Sequence, residues 1–109
     1  MTYLITSVSD LSSWDSASNP TAVLNNDITI TSDSYIPVVL SSGATFSGNN
    51  HTITIAILGS GNFNGIFQTY DYTNTIHNLK INIEAGTLMS PAGWLISTNP
   101  TGTFNFISV

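Results

Sequence analysis

"TFSGNNHTITI", residues 45–55, opens on a turn-rich run of Ser, Gly and Asn and closes on strict apolar and polar alternation. Alternation at period two puts successive side chains on opposite faces of an extended chain, so the stretch predicts a corner followed by a β-strand with one buried face. The strand half is not unique. "NDITI" (26–30), "HTITI" (51–55), "HNLKI" (77–81) and "GTFNF" (102–106) share its pattern, and their first apolar residues, Ile28, Ile53, Leu79 and Phe104, are spaced 25, 26 and 25 apart. A second series, "IPVVL" (36–40), "NGIFQ" (64–68) and "AGWLI" (92–96), places Val39, Phe67 and Leu95 each 28 apart.

Two series of nearly equal period point to a structural repeat. Stacked hairpins would not return a similar strand every 25 to 28 residues with a second strand class at constant phase, whereas a coil climbing one strand spacing per turn would. At ~4.8 Å per rung, about four rungs make a column on the order of 20 Å tall. The expected fold is all-β: a short parallel β-solenoid of about four coils, one domain over 1–109, with residues 1–21 as an N-terminal cap and 22–109 as coils. Within the cap, residues 7–17 predict a short helix with Ser9 as N-cap, Asp10 in the first turn, and Leu11 and Trp14 three apart on one face. Laid over the first coil, such a helix would cover an otherwise open sheet edge.

These residues resemble a known family. "TFSGNNHTITI" is similar to the F-x-G-N-x-H-x-I signature of early coils in right-handed, pectin-lyase-like parallel β-helices, and residues 65–81 look like a GLUG-type repeat, G-L-F-x(n)-I-x-N-L-x-I. The resemblance covers roughly residues 22–83. It implies a right-handed single-stranded β-helix and says little about activity, because such modules are mostly scaffolds.

Composition narrows the functional classes. Charged residues are 6% of the 109-residue chain, against roughly a quarter in ordinary soluble domains, and Lys80 is the sole Lys or Arg. With a net charge of −5 and no basic patch, neither phosphate neutralisation on nucleic acid nor attraction to anionic lipid has a source. No apolar run approaches membrane-spanning length, and the first residues lack the pattern of a signal peptide. Cysteine is absent, so there is no disulfide or thiolate metal site. The hydrophobic fraction of 41% argues against disorder.

The repeat also supplies expectations for single residues. Asn26, His51, His77 and Gly102 stand two residues before the first apolar position of each rung, so His51 and His77 are expected as neighbours in a ladder of neutral imidazoles and Asn side chains. A His pair can also bind a metal or switch with pH, but no Asp or Glu shares the column, and no metal or other cofactor is expected. Asn50-His51-Thr52 is a glycosylation sequon at a strand corner. The polysaccharide-cleaving members of the resembled family use clustered carboxylates for Ca²⁺ and typically an Arg base. This chain has no Arg, and its acids, Asp10, Asp15, Asp27, Asp33, Asp71 and Glu84, fall at unlike phases, so no enzyme is expected. The outward columns, Thr29, Thr54, Lys80, Asn105 and Asp27, Thr52, Asn78, Thr103, are too mixed for ice binding.

Association is the stronger expectation. The second series is apolar at both phases, so Val38, Ile66 and Trp94, or else Val39, Phe67 and Leu95, form an outward stripe. A loop over residues 88–93 could cover it; a subunit interface is the sharper alternative. Phe104 and Phe106 stand in core phase with no polar cap after them, so the expectation is either axial docking through Phe104, Phe106 and Val109 or a stack that continues further. The chain is therefore expected to be a self-associating structural module of a virion capsid, fibre or cell-surface layer, placed on a virion or outside the cell. Carbohydrate binding through Tyr70 and Tyr72 is the runner-up, and a degenerate polysaccharide lyase or hydrolase fragment the third.

Overall fold

The computed structural model describes residues 2–57, 62–69, 73–88, 95 and 105–108. In chain order these form β1 (Tyr3–Ile5), α1 (Val8–Ser13), β2 (Thr21–Leu24), β3 (Ile28–Ile30), β4 (Val38–Leu40), β5 (Thr45–Ser47), β6 (Thr52–Ala56), β7 (Asn62–Phe63), β8 (Phe67–Thr69), β9 (Thr75–Ala85), β10 (Thr87–Leu88) and β11 (Asn105–Ser108). Every strand pairing among the described residues is parallel.

The chain is small and mostly strand, as expected, but the expected right-handed single-stranded β-helix of about four coils is not observed. No closed solenoid is present among the described residues. Seven strands instead form one sheet in the order β1-β2-β5-β9-β6-β3, with β11 also on β9, and two separate two-stranded sheets pair β10 with β7 and β4 with β8. The cause lies in β9. It runs for eleven residues, lies beside β5 through residues 75–77 and beside β6 through residues 80–85, and so joins two ladders, where the repeat placed a single short strand at residues 77–81.

The same strand shifts the register. Ile53 pairs with Ile81, not with Leu79, because the corner between the two ladders takes residues 48–51 in one layer and only residues 78–79 in the next. The layers are stitched together there. Gly48 N–H donates to His77 O at 2.8 Å, Asn50 N–H to Asn78 O at 2.9 Å, and Lys80 N–H to His51 O at 3.2 Å. Asn49, Asn50 and Asn78 all turn through positive φ (52°, 63° and 54°), a region that Asn enters more readily than most residues. Gly48 is required for another reason: a Cβ there would lie 2.4 Å from Leu79 Cα and 2.5 Å from Asn78 O.

Pairing in register stacks like on like. Ala22, Phe46 and Ile76 form one buried column, and Ile28 with Ile53, and Ile30 with Ile55, form others. Phe46 meets Phe67 at 4.9 Å and Trp14 at 6.0 Å between ring centroids, so it ties the large sheet to β8 and to the end of α1. Burying one such ring contributes about 3 kcal/mol. A polar line crosses this core. Ser16 Oγ donates to Val39 O and accepts from Ser41 N–H, Ser41 O accepts from buried Asn74 Nδ2, and Asn74 Oδ1 accepts from Thr69 Oγ1.

At the N-terminal side the helix forms, starting two residues earlier than expected. Ser7, extended at φ −148°, is the N-cap in place of Ser9. Its hydroxyl accepts from Asp10 N–H, and the Asp10 carboxylate reaches back to Thr6 N–H at 3.0 Å and the Thr6 hydroxyl at 2.8 Å, a reciprocal cap. Leu11 and Trp14 are both buried, as their spacing predicts. The strand β1, counted within the cap at the sequence level, pairs with β2, and α1 packs against β1 and β3, the two ends of the sheet path.

Gly48→Ala should lower stability by about 3 kcal/mol through overpacking against backbone. Gly43→Ala is the control: it has φ +78° but nothing within 4 Å of a Cβ. It should cost about 1 to 2 kcal/mol through backbone conformation alone. Urea unfolding of both variants reads the difference; equal losses would show that the corner is not tightly packed.

Candidate functional site

The expected lateral stripe does not exist as drawn. Val38 pairs with Phe67, one residue out of the expected register, and a one-residue slip exchanges the two faces of a strand. Val38 is therefore 6% exposed and Val39 52% exposed, while Ile66, in the bend before β8, is fully buried. Phe67 is buried as well and Leu95 packs against the core, so neither expected trio faces outward intact. Phe106 lies in β11 opposite Ile76. Trp94, Phe104, Val109, Tyr70 and Tyr72 lie outside the described residues.

Beside β4 lies a cleft of about 580 Å³ between residues 12–15 and residues 34–39. Its fixed groups are already engaged. Trp14 Nε1 donates to Asn19 O at 2.7 Å, Asp15 accepts from Ala17 N–H and the Ser18 hydroxyl, and the Tyr35 hydroxyl donates to Ile66 O at 2.9 Å while its ring stacks on Phe63 at 5.8 Å. Burial pushes the Tyr35 phenol far above its ordinary pKa, so it is a permanent hydrogen-bond donor. The rim is apolar. Ile36 is 77% exposed and stands with Val39 over the opening, and a smaller groove of about 220 Å³ sharing Ser12, Ser34 and Tyr35 continues toward β3. Nothing in this arrangement pairs a nucleophile with a base; its chemical character is an apolar surface framed by serine hydroxyls.

The histidines are separated by the register. His77 lies opposite Ser47, and its Nδ1 accepts from Asn78 Nδ2 at 3.2 Å, whereas His51 Nδ1–H donates to Asp27 Oδ1 at 3.1 Å. The expected imidazole ladder is replaced by an exposed His51 and Asp27 pair between adjacent strands. Asp27 Oδ1 also accepts from Thr52 N–H at 2.9 Å. The Thr52 amide first, then the His51 hydrogen bond, and more weakly the charges of His51 and Lys80, hold the Asp27 carboxyl below its ordinary value. Asp10 is lowered likewise by the Thr6 amide and hydroxyl. Among the described residues no three His, Asp or Glu side chains gather as a metal site.

The outward columns differ from those expected too. Thr21, Thr45 and Thr75 pair in register, with Val23, Ser47 and His77 beside them. Its spacings of 24 and 30 residues are unequal, so the column follows no constant period. The chain matches no family model, no curated protein and no solved structure.

Because the Asp27 and Asp10 carboxyls are lowered on folding, the stability they contribute is complete above their ordinary value of 3.8 and is lost as pH falls through the lowered folded values. Asp27→Asn keeps an acceptor for Thr52 but removes the titration. Its urea midpoint should therefore fall less steeply than that of the wild type as the pH drops below 3.8. Parallel acid limbs would show that the Asp27 contacts add nothing.

Proposed function

We propose that this chain is a non-enzymatic structural module that works by associating with copies of itself, as a building element of a virion shell, a fibre or a cell-surface layer. The observation that carries the reading is the exposed pair Ile36 and Val39 at the mouth of the cleft, in a chain where charge is scarce. Two large aliphatic side chains held outward on a fixed frame are costly to leave in water, and contiguous exposed apolar surface marks association sites. Burying the pair contributes at most about 3 to 6 kcal/mol per copy, whereas association costs roughly 4 to 15 kcal/mol, so the pair covers only the lower part of that range. The neighbouring walls of the cleft must therefore take part.

A two-fold pairing satisfies this with one surface, since each copy offers the same rim and the same cleft to the other. Few charges need desolvation in such a contact. The carboxylate of Asp15 at its edge is already turned to its own backbone.

Light scattering over a dilution series tests the reading. The wild type should give a defined oligomer at the upper concentrations, and Val39→Lys should give a monomer with an unchanged circular dichroism spectrum, since Val39 contributes an exposed side chain. A wild type that stays monomeric throughout would overturn self-association.

A further inference from the structure

The link between β7 and β8 carries a chemical reactivity that neither the fold nor the association surface uses. Asn64 is exposed and followed by Gly65, in the one Asn-Gly pair of the chain. Neither the Asn64 amide nor the Gly65 N–H has a hydrogen-bond partner among the described residues. Gly65 adopts φ +98°, a backbone state open to glycine, and has no Cβ to shield its own nitrogen. Other Asn residues differ: Asn49, Asn50 and Asn78 precede residues with side chains, and Asn74 is buried with its amide engaged.

We propose that Asn64 is a self-modification site, at which the folded chain deamidates through its own backbone. The Gly65 nitrogen, on losing its proton, attacks Asn64 Cγ, and the new N–C bond replaces the C–N bond to the side-chain nitrogen, which leaves as ammonia. Water then opens the resulting five-membered imide at one carbonyl or the other, giving aspartate or isoaspartate at position 64. No oxidant, reductant or cofactor is needed.

Either product deepens the net charge of −5 by one, but only isoaspartate lengthens the backbone, by one methylene. The flanks have no slack to absorb it. Phe63 is buried under Tyr35, and the Ile66 and Phe67 N–H groups both donate to Leu95 O at 3.1 and 2.8 Å. Ile66 O in turn accepts from Val38 N–H and from the Tyr35 hydroxyl. The extra methylene therefore strains the attachment of β8 to β4, and the isoaspartyl form should unfold at a lower urea concentration.

The full chain, held folded in mildly alkaline buffer, is followed by intact mass, ammonia release and fragmentation, with isoaspartate read by methylation with an isoaspartyl methyltransferase. The expected result is a single deamidation confined to Asn64 and lost in Asn64→Gln, whose longer side chain closes a less favourable ring. Burial of Gly65 is the brake to be measured: if the chain unfolded in urea reacts while the folded chain does not, the proposal is overturned. A mass gain that persists in Asn64→Gln would overturn it equally. Asn64→Asp carries the charge without the extra methylene, so it should unfold near the wild-type midpoint; a fall as large as that of the aged protein would refute the assignment to backbone lengthening.

Discussion

The contact on which the rest of the molecule depends is between two stretches of backbone. Gly48 lies so close to Asn78 and Leu79 that no side chain fits between them, and three hydrogen bonds hold the two corners together. Once those corners are fixed, Phe46 must face Ile76 on one side and Ile53 must face Ile81 on the other. A slip of a single residue would turn both sets of apolar side chains into water. The corner thus acts as the register mark of the sheet, and the hydrophobic columns supply the energy that the register makes available.

Much of this was visible in the residues. Alternation identified the strands around Ile28, Ile53 and Ile55, and their parallel pairing at a spacing of 25 is observed. What constant spacing cannot show is a change in corner length. The third layer turns in two residues at Asn78 and Leu79, which moves Ile81 into the place assigned to Leu79 and merges two strands into β9. The outward face of β4 was illegible for a similar reason. A strand that is apolar at both phases, as at Val38 and Val39, carries no signal of which phase faces in, and only the pairing with β8 decides it. The His51 partner was missed because Asp27 sits one residue nearer the strand than the column that was compared, although Thr52 brings it within reach.

With so few charges, the chain uses them locally. Asp10 closes the first turn of α1, Asp15 holds the turn after it, and Asp27 clips β3 to the start of β6. The uncharged polar residues do the structural work inside, with buried Ser16, Asn74 and Thr69 and half-buried Ser41 satisfying one another. α1 lies against both ends of the sheet path and blunts them as templates for further strands. The apolar side chains of Ile36 and Val39 stay exposed at the mouth of the cleft.

The length of β9 also sets the order in which the molecule can be built. Before residues 75–85 join, β1, β2 and β5 make one ladder and β3 and β6 another, and the two share no strand. Each pairing closes a loop of some two dozen residues, a cost in chain entropy met before its contacts form. Docking of β9 then repays both ladders at once. Folding is accordingly expected to pass its barrier when this strand docks, because only then do the two ladders share a strand.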